Sequence, residues 1–212
     1  MHGLINKAIM SFLCDSFGDA LWQTVALKSG IAAELGGDGF EAMQIYDPWM
    51  TEAMIAGAAV QLDRPRDSLL EDLGTYLVSH ERMEPLRRLL RFGGVSFTDF
   101  LFSLEDLRGR TQLAVPDLAM PELSLEERAQ GQFLLTCHAC PAGFGHMMVG
   151  ILRALADDYG ALAVLEHRGC RLPGPASDRR AQRDGDEVIA IDVYDPAFHS
   201  GRQFQLAATE AS

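Results

Sequence analysis

The sequence predicts an α+β fold, and two features of its hydrophobic pattern lead to that class. Apolar residues recur at three- and four-residue spacing through the first half of the chain, which is typical of amphipathic helices. Beyond Gly109 the pattern changes to short strand-like runs interrupted by one helix. We therefore expect a helical N-terminal part packed on a C-terminal part in which a helix crosses an antiparallel sheet.

Short polar, Gly or Pro stretches separate the helices predicted in the first half. These helices span 3–17, about 18–29, about 48–61, about 66–79, about 82–91 and about 96–106. Gly109 is predicted to stop the last of them. A signal peptide is the other interpretation of the first 18 residues, but Asn6, Lys7 and Ser11 interrupt their apolar positions at helical spacing, which favours an amphipathic helix.

The second half is predicted to contain strands at about 122–126, 131–138, 161–168 and 187–194, with a helix at about 143–159. Residues 171–186 combine Pro, Gly and mixed charge without periodicity, so they are predicted to be a mobile loop between two strands. A cluster of basic residues in and beside this loop is offset by acidic ones, which indicates a solvated face. The basic residues are Arg179, Arg180 and Arg183, and the acidic ones are Asp178, Asp184, Asp186 and Glu187.

Composition restricts the class of protein. Eighteen basic and thirty acidic residues give a formal charge of 18 − 30 = −12, which opposes binding to nucleic acid. No apolar run of membrane-spanning length is present, and the four cysteines are expected to be reduced thiols in a cytoplasmic protein. Motifs such as G-x-S-x-G, H-E-x-x-H or a phosphate loop do not occur, so the sequence predicts no enzyme.

Three blocks carry a resemblance to a known family: MHGLINKAIMSFL at the start, FTDFLFSLEDL at 97–107 and PDLAMPEL at 116–123. The chain resembles the haem nitric oxide/oxygen binding (H-NOX) domains from Met1 to about Val193. The resemblance implies a single domain, with a helical subdomain at about 1–62, a haem-pocket-like α+β subdomain at about 63–195 and a tail at 196–212. It also implies a haem-binding sensor of NO or O2 that signals to a histidine kinase or a cyclic-dinucleotide enzyme.

In that family a histidine binds the haem iron from the proximal side, and a Tyr-x-Ser-x-Arg motif holds the propionates. Matching without gaps places Arg108 at the histidine position and Cys137, Ala139 and Pro141 at the motif. A guanidinium is protonated and has no lone pair free for iron, and Ala139 and Pro141 have no side-chain donor. We therefore expect haem ligation to be atypical or lost.

The cofactor-binding residues expected from the resemblance also include His146, at the position that faces the distal side. An imidazole there has the chemistry to ligate haem iron, although packing on a helix is the simpler interpretation. Arg108 is expected to pair with an anionic ligand or with Glu105 or Asp106. The remaining matched pocket positions are apolar: Ile5, Leu101, Leu104 and Pro121.

A second candidate site combines thiols and imidazoles. Cys137 and Cys140 form a C-x2-C pair, and His167 and Cys170 form an H-x2-C pair, which is the ligand set of a Cys3His zinc site. His138 and His146 are alternative fourth ligands. A thiol cluster without metal, a redox-sensing Cys137/Cys140 pair and a disulfide involving Cys170 stay open.

Two functions follow from these sites. One is a haem-binding gas sensor with unusual ligation, for example by His146. The other is a haem-free adaptor, or a module that responds to zinc or to thiol oxidation, on the same fold.

Overall fold

The computed structural model of the chain describes residues 1–35, 39–91, 94–171 and 184–194. Its N-terminal part is helical, as the periodicity predicts, and local caps fix where helices begin. His2 caps the first helix by accepting the Leu4 N–H, and Asp47 caps another by accepting the Trp49 N–H. The helices of this part are α1 Gly3–Phe17, α2 Asp19–Lys28, α3 Ile31–Leu35, α4 Pro48–Leu62, α5 Arg66–Ser79 and α6 Glu84–Arg91.

The structure around Gly109 differs from the sequence prediction that a helix stops there. Helix α7 (Phe97–Phe102) begins at a capping box formed by Ser96 and Asp99, and a 3-10 turn at Ser103–Asp106 follows it. A further helix, α8 (Leu107–Ala114), then runs through Gly109. The predicted stop is wrong because the buried side chains of Leu107 and Thr111 hold this helix to the core, which outweighs the low helix propensity of one glycine.

The C-terminal part is the predicted antiparallel sheet, with strands in the order β1-β2-β4-β3. Helix α9 (Phe144–Asp158) joins β2 to β3 and packs on β2, β3 and β4. The ends of the predicted loop at 171–186 belong to β3 and β4, and its residues 172–183 lie outside the described residues. The tail at 196–212 lies outside them as well. The strands are β1 Glu122–Ala129, β2 Gln132–Pro141, β3 Leu162–Arg171 and β4 Asp184–Tyr194.

A β-bulge interrupts β2 beside β4. The register passes from Cys137 opposite Glu187 to Cys140 opposite Gly185, so His138 and Ala139 together face Asp186. Ala139 adopts φ +44°, in the left-handed region. A bulge bends the strand and changes the direction of its side chains. Here His138 and Asp186 lie on the outer face of the sheet, whereas Cys137 and Glu187 lie on the inner face.

One continuous core joins the helices to the inner face of the sheet. Helices α5 and α9 approach each other closely, because Gly74 and Gly150 have no side chain at the crossing: a Cβ on either would clash with a backbone carbonyl oxygen of the other helix. No helix within the described ranges is long and apolar enough to cross a membrane.

Candidate functional site

Arg108 lies in the first turn of α8, at the junction between the helices and β1. Its guanidinium is 3.6 Å from Glu122 Oε2, and half of its side-chain surface is exposed. The predicted pairing with Glu105 or Asp106 is not observed: Glu105 instead accepts the backbone N–H of Leu125, at 3.1 Å. Both contacts connect the α7–α8 segment to strand β1.

The apolar positions expected to line a pocket divide into two groups. Leu101 and Leu104 are fully buried in the core, whereas Ile5 and Pro121 are only partly buried. The α7–α8 segment therefore keeps an apolar inner face, on which no side chain offers a ligand for iron.

The β2 positions matched to the propionate motif offer little to an anion. Cys137 is buried, while Ala139 and Pro141 are exposed and have no side-chain donor. Shortly after these positions, backbone N–H groups at the start of α9 point towards an anion-binding position, and they already have a partner.

That partner is Glu187, which is 2% exposed. Its carboxylate accepts the N–H of Gly143 at 2.5 Å and the N–H of Gly145 at 2.6 Å, and His167 Nε2 lies 3.1 Å away. A helix N-terminus favours a negative charge. The anion-binding position at the start of α9 is thus filled by a side chain of the protein itself.

The absence of a side chain at Gly145 allows this arrangement. A Cβ there would lie 2.5 Å from Glu187 Oε2 and 2.8 Å from the His167 ring. The interpretation of Glu187 as part of a solvated face is wrong, because its carboxylate is buried. The signal that locates it is the β4 alternation of Glu187 with Ile189, Ile191 and Val193, which places all four on the inner face.

His146 projects from α9 between two elements rather than into open space. Its Nδ1 lies 3.3 Å from Glu71 Oε1 and its Nε2 lies 3.5 Å from Asp67 Oδ2, both on α5. Its ring centroid is 4.1 Å from that of His167, and 18% of its side-chain surface is exposed. Both ring nitrogens therefore face carboxylates of α5.

The predicted zinc site finds no support. Among the residues that the structure describes, no three His, Cys, Asp or Glu side chains are placed to hold a metal ion. Cys137 and Cys140 are fully buried and Cys170 is exposed, while His167 is engaged by Glu187. The alternative ligands His138 and His146 are likewise engaged by carboxylates.

All four cysteines are free thiols, so the proposed disulfide is not present. Burial and the nearby Glu187 carboxylate raise the pKa of Cys140 to about 12. Burial also raises the pKa of Cys137 far above its usual range. Since the thiolate is the reactive form, this environment disfavours a redox-sensing role for the pair.

A family model described as haem-NO-binding matches residues 2–167 of this chain. The soluble guanylate cyclase gcy-31 of Caenorhabditis elegans is 23% identical over 158 residues, which cover 74% of this chain and 22% of that protein. The guanylate cyclase soluble subunit beta-2 of Rattus norvegicus is 29% identical over 93 residues, covering 44% and 14%. The chain thus spans less than a quarter of the length of these curated relatives.

Solved structures confirm the fold class. An H-NOX protein from S. oneidensis in the Fe(II)NO ligation state superposes with a TM-score of 0.71 at 14% identity, over 92% of this chain and 100% of that one. The Fe(II) unliganded H-NOX protein from K. algicida gives 0.70 at 14% identity, over 92% and 97%. At these identities the likeness shows the fold, with its helical and sheet-containing parts.

Proposed function

Because this chain belongs to the haem-NO-binding family, we propose that it is a sensory or regulatory domain that signals to a protein partner, and that it does so without histidine-ligated haem. The proposal depends above all on Arg108. The family's proximal ligand position carries a guanidinium that cannot donate a lone pair to iron, and this group faces Glu122 at the edge of the sheet.

Two further observations support the absence of the usual cofactor attachment. The motif positions on β2 carry no cationic donor for a propionate, and the anion-binding start of α9 is filled by Glu187. The side chains present therefore do not fit haem held in the family's manner.

Signalling in such a domain needs an element with two positions that a partner can distinguish. The α8–β1 junction is suited to this, because Arg108–Glu122 and Glu105–Leu125 are exposed or half-exposed contacts that can be broken at low cost. A partner that binds one position of the junction more tightly would shift the equilibrium towards that position. The partner classes implied by the family resemblance are a histidine kinase and a cyclic-dinucleotide enzyme.

An absorbance spectrum tests the proposal. The chain is expressed with excess haem precursor, desalted and compared with Arg108→His, which restores an imidazole at the matched position. We expect the unmodified chain to be folded, as judged by circular dichroism, with no Soret band approaching one haem per chain. A near-equimolar Soret band in the unmodified chain would overturn the proposal.

The second candidate is a haem-binding gas sensor that uses His146. It is favoured by one observation, a largely buried imidazole on α9 at the matched distal position. This candidate requires His146 to leave Glu71 and Asp67. It predicts that a Soret band is present and that His146→Ala abolishes it, while His80→Ala, which changes an imidazole on another helix end, leaves it intact.

A further inference from the structure

Ser124, His138 and Asp186 form a hydrogen-bonded line across the outer face of the sheet. Ser124 Oγ lies 2.8 Å from His138 Nε2, and His138 Nδ1 lies 3.3 Å from Asp186 Oδ2. The three residues belong to neighbouring strands, β1, β2 and β4. A hydroxyl, an imidazole and a carboxylate in this order are the groups that activate a serine nucleophile.

The β2 bulge produces this arrangement. It places two residues opposite Asp186, so that the Ala139 N–H donates to Asp186 Oδ1 at 2.9 Å while His138 meets Oδ2 of the same carboxylate. The carboxylate is therefore held by the backbone and in turn fixes the imidazole. Ala139 adopts a left-handed φ of +44°, which is uncommon for a residue with a Cβ and here belongs to the bulge.

We propose that this line is an acyl-transfer site with Ser124 as nucleophile, His138 as general base and Asp186 as the residue that positions His138. Ser124 Oγ forms a bond to the ester carbonyl carbon as His138 Nε2 takes the hydroxyl proton. Collapse of the adduct breaks the bond to the leaving alcohol, which receives that proton. Water then attacks the acyl carbon and gives a proton to His138; collapse of this adduct breaks the bond to Ser124 Oγ, which takes that proton back, and the free acid leaves.

The openness of the site limits its substrate. The side chains of His138 and Asp186 are 38% and 44% exposed, so the site lies on an open face and offers little surface to bind a long acyl chain or a peptide. The Leu125 N–H, which follows the nucleophile and is a common donor to an oxyanion, is already bound to Glu105. We therefore expect slow reaction with small uncharged esters that have a good leaving group.

A fluorophosphonate probe tests the site directly, because the serine oxygen displaces fluoride to form a stable bond to phosphorus. The full chain is incubated with the probe, and the modified residue is mapped by mass spectrometry. We expect labelling at Ser124, reduced about 100-fold in Ser124→Ala and in His138→Gln. The control is Ser79→Ala, which removes an exposed serine that donates only to a helix carbonyl and should leave the rate unchanged.

Further variants separate chemistry from structure. Asp186→Asn should slow labelling, because the carboxylate that holds His138 Nδ1 is gone, and Asp186→Glu, which keeps a carboxylate, should restore part of the rate; a purely structural role would not follow the carboxylate. Glu105→Ala should speed hydrolysis of p-nitrophenyl acetate by freeing the Leu125 N–H. Labelling spread over several serines, or unchanged in a folded His138→Gln variant, would overturn the proposal. The contact between Ser124 and His138 would then be only a hydrogen bond between neighbouring strands.

Discussion

Asp186 and Glu187 are neighbours on β4, yet they face opposite sides of the sheet and have different surroundings. Each carboxylate meets a histidine and accepts at least one backbone N–H. Glu187 is 2% exposed at the start of α9, whereas the Asp186 side chain is 44% exposed. Similar groups therefore have different roles in the fold: Glu187 is an internal partner of helix α9, whereas Asp186 lies at the solvent-facing side of the sheet.

The largest expected effect is on the buried side. Glu187→Gln should lower the free energy of unfolding by about 3 kcal/mol, because an amide cannot accept from two backbone N–H groups and His167 as a carboxylate does. Urea denaturation followed by circular dichroism measures this. Asp186→Asn is the matched control, with an expected loss below about 1 kcal/mol. Equal losses would show that the two carboxylates contribute equally to stability, which contradicts the expected difference.

Gly145→Ala tests whether Glu187 needs its close approach to α9. The added Cβ would meet Glu187 Oε2 at 2.5 Å, so we expect a loss of about 2 kcal/mol in the free energy of unfolding. Gly109→Ala is the control, since the space around that helical glycine is open, and it should stabilise by about 0.5 kcal/mol. The idea fails if both variants melt at the same temperature as the unmodified chain.

The buried thiols provide a pH test of the inner face. Cys140 has an ordinary pKa of 9.0 and a folded pKa of about 12, so folding favours the protonated thiol. Its contribution to stability is therefore complete below pH 9 and is lost as the pH rises from 9 towards 12.

Iodoacetamide at pH 8 should modify exposed Cys170 at least about 100-fold faster than Cys140, as mapped by mass spectrometry. Equal rates would show that the inner face is open to solvent.

The smallest expected effect concerns the outer face. Ser124→Ala removes one half-exposed hydrogen bond and should change the free energy of unfolding by less than about 0.5 kcal/mol. Thermal denaturation checks this against the unmodified chain. A loss as large as that of Glu187→Gln would assign Ser124 to the structural framework and remove the contrast between the two faces.

The sequence predicts those parts of the fold whose signal is local. Helices such as α1 and α9 and all four strands follow from hydrophobic periodicity, and the pattern of the α7–α8 segment identifies the family. Helix α8 was missed because tertiary packing overrides the glycine at 109. The β2 bulge is also invisible to periodicity, because it depends on the register between β2 and β4.

The candidate site was predicted only in part, for the same reason. That the Arg108 guanidinium cannot bind iron follows from residue chemistry alone, but its ion pair with Glu122 depends on where α8 meets β1. The C-x2-C and H-x2-C spacing suggested zinc, whereas burial of Cys137 and Cys140 and the engagement of His167 by Glu187 are three-dimensional facts. Spacing identifies candidate ligands and does not fix what each side chain faces.

A haem titration tests whether the chain functions without histidine-ligated haem. Purified chain is titrated with reduced haem under anaerobic conditions, and the Soret absorbance is followed as the ratio of haem to chain passes through one. We expect no saturation at one haem per chain and a spectrum that matches free haem, in the unmodified chain and in His146→Ala alike. A sharp breakpoint at one haem per chain, lost in His146→Ala, would contradict it.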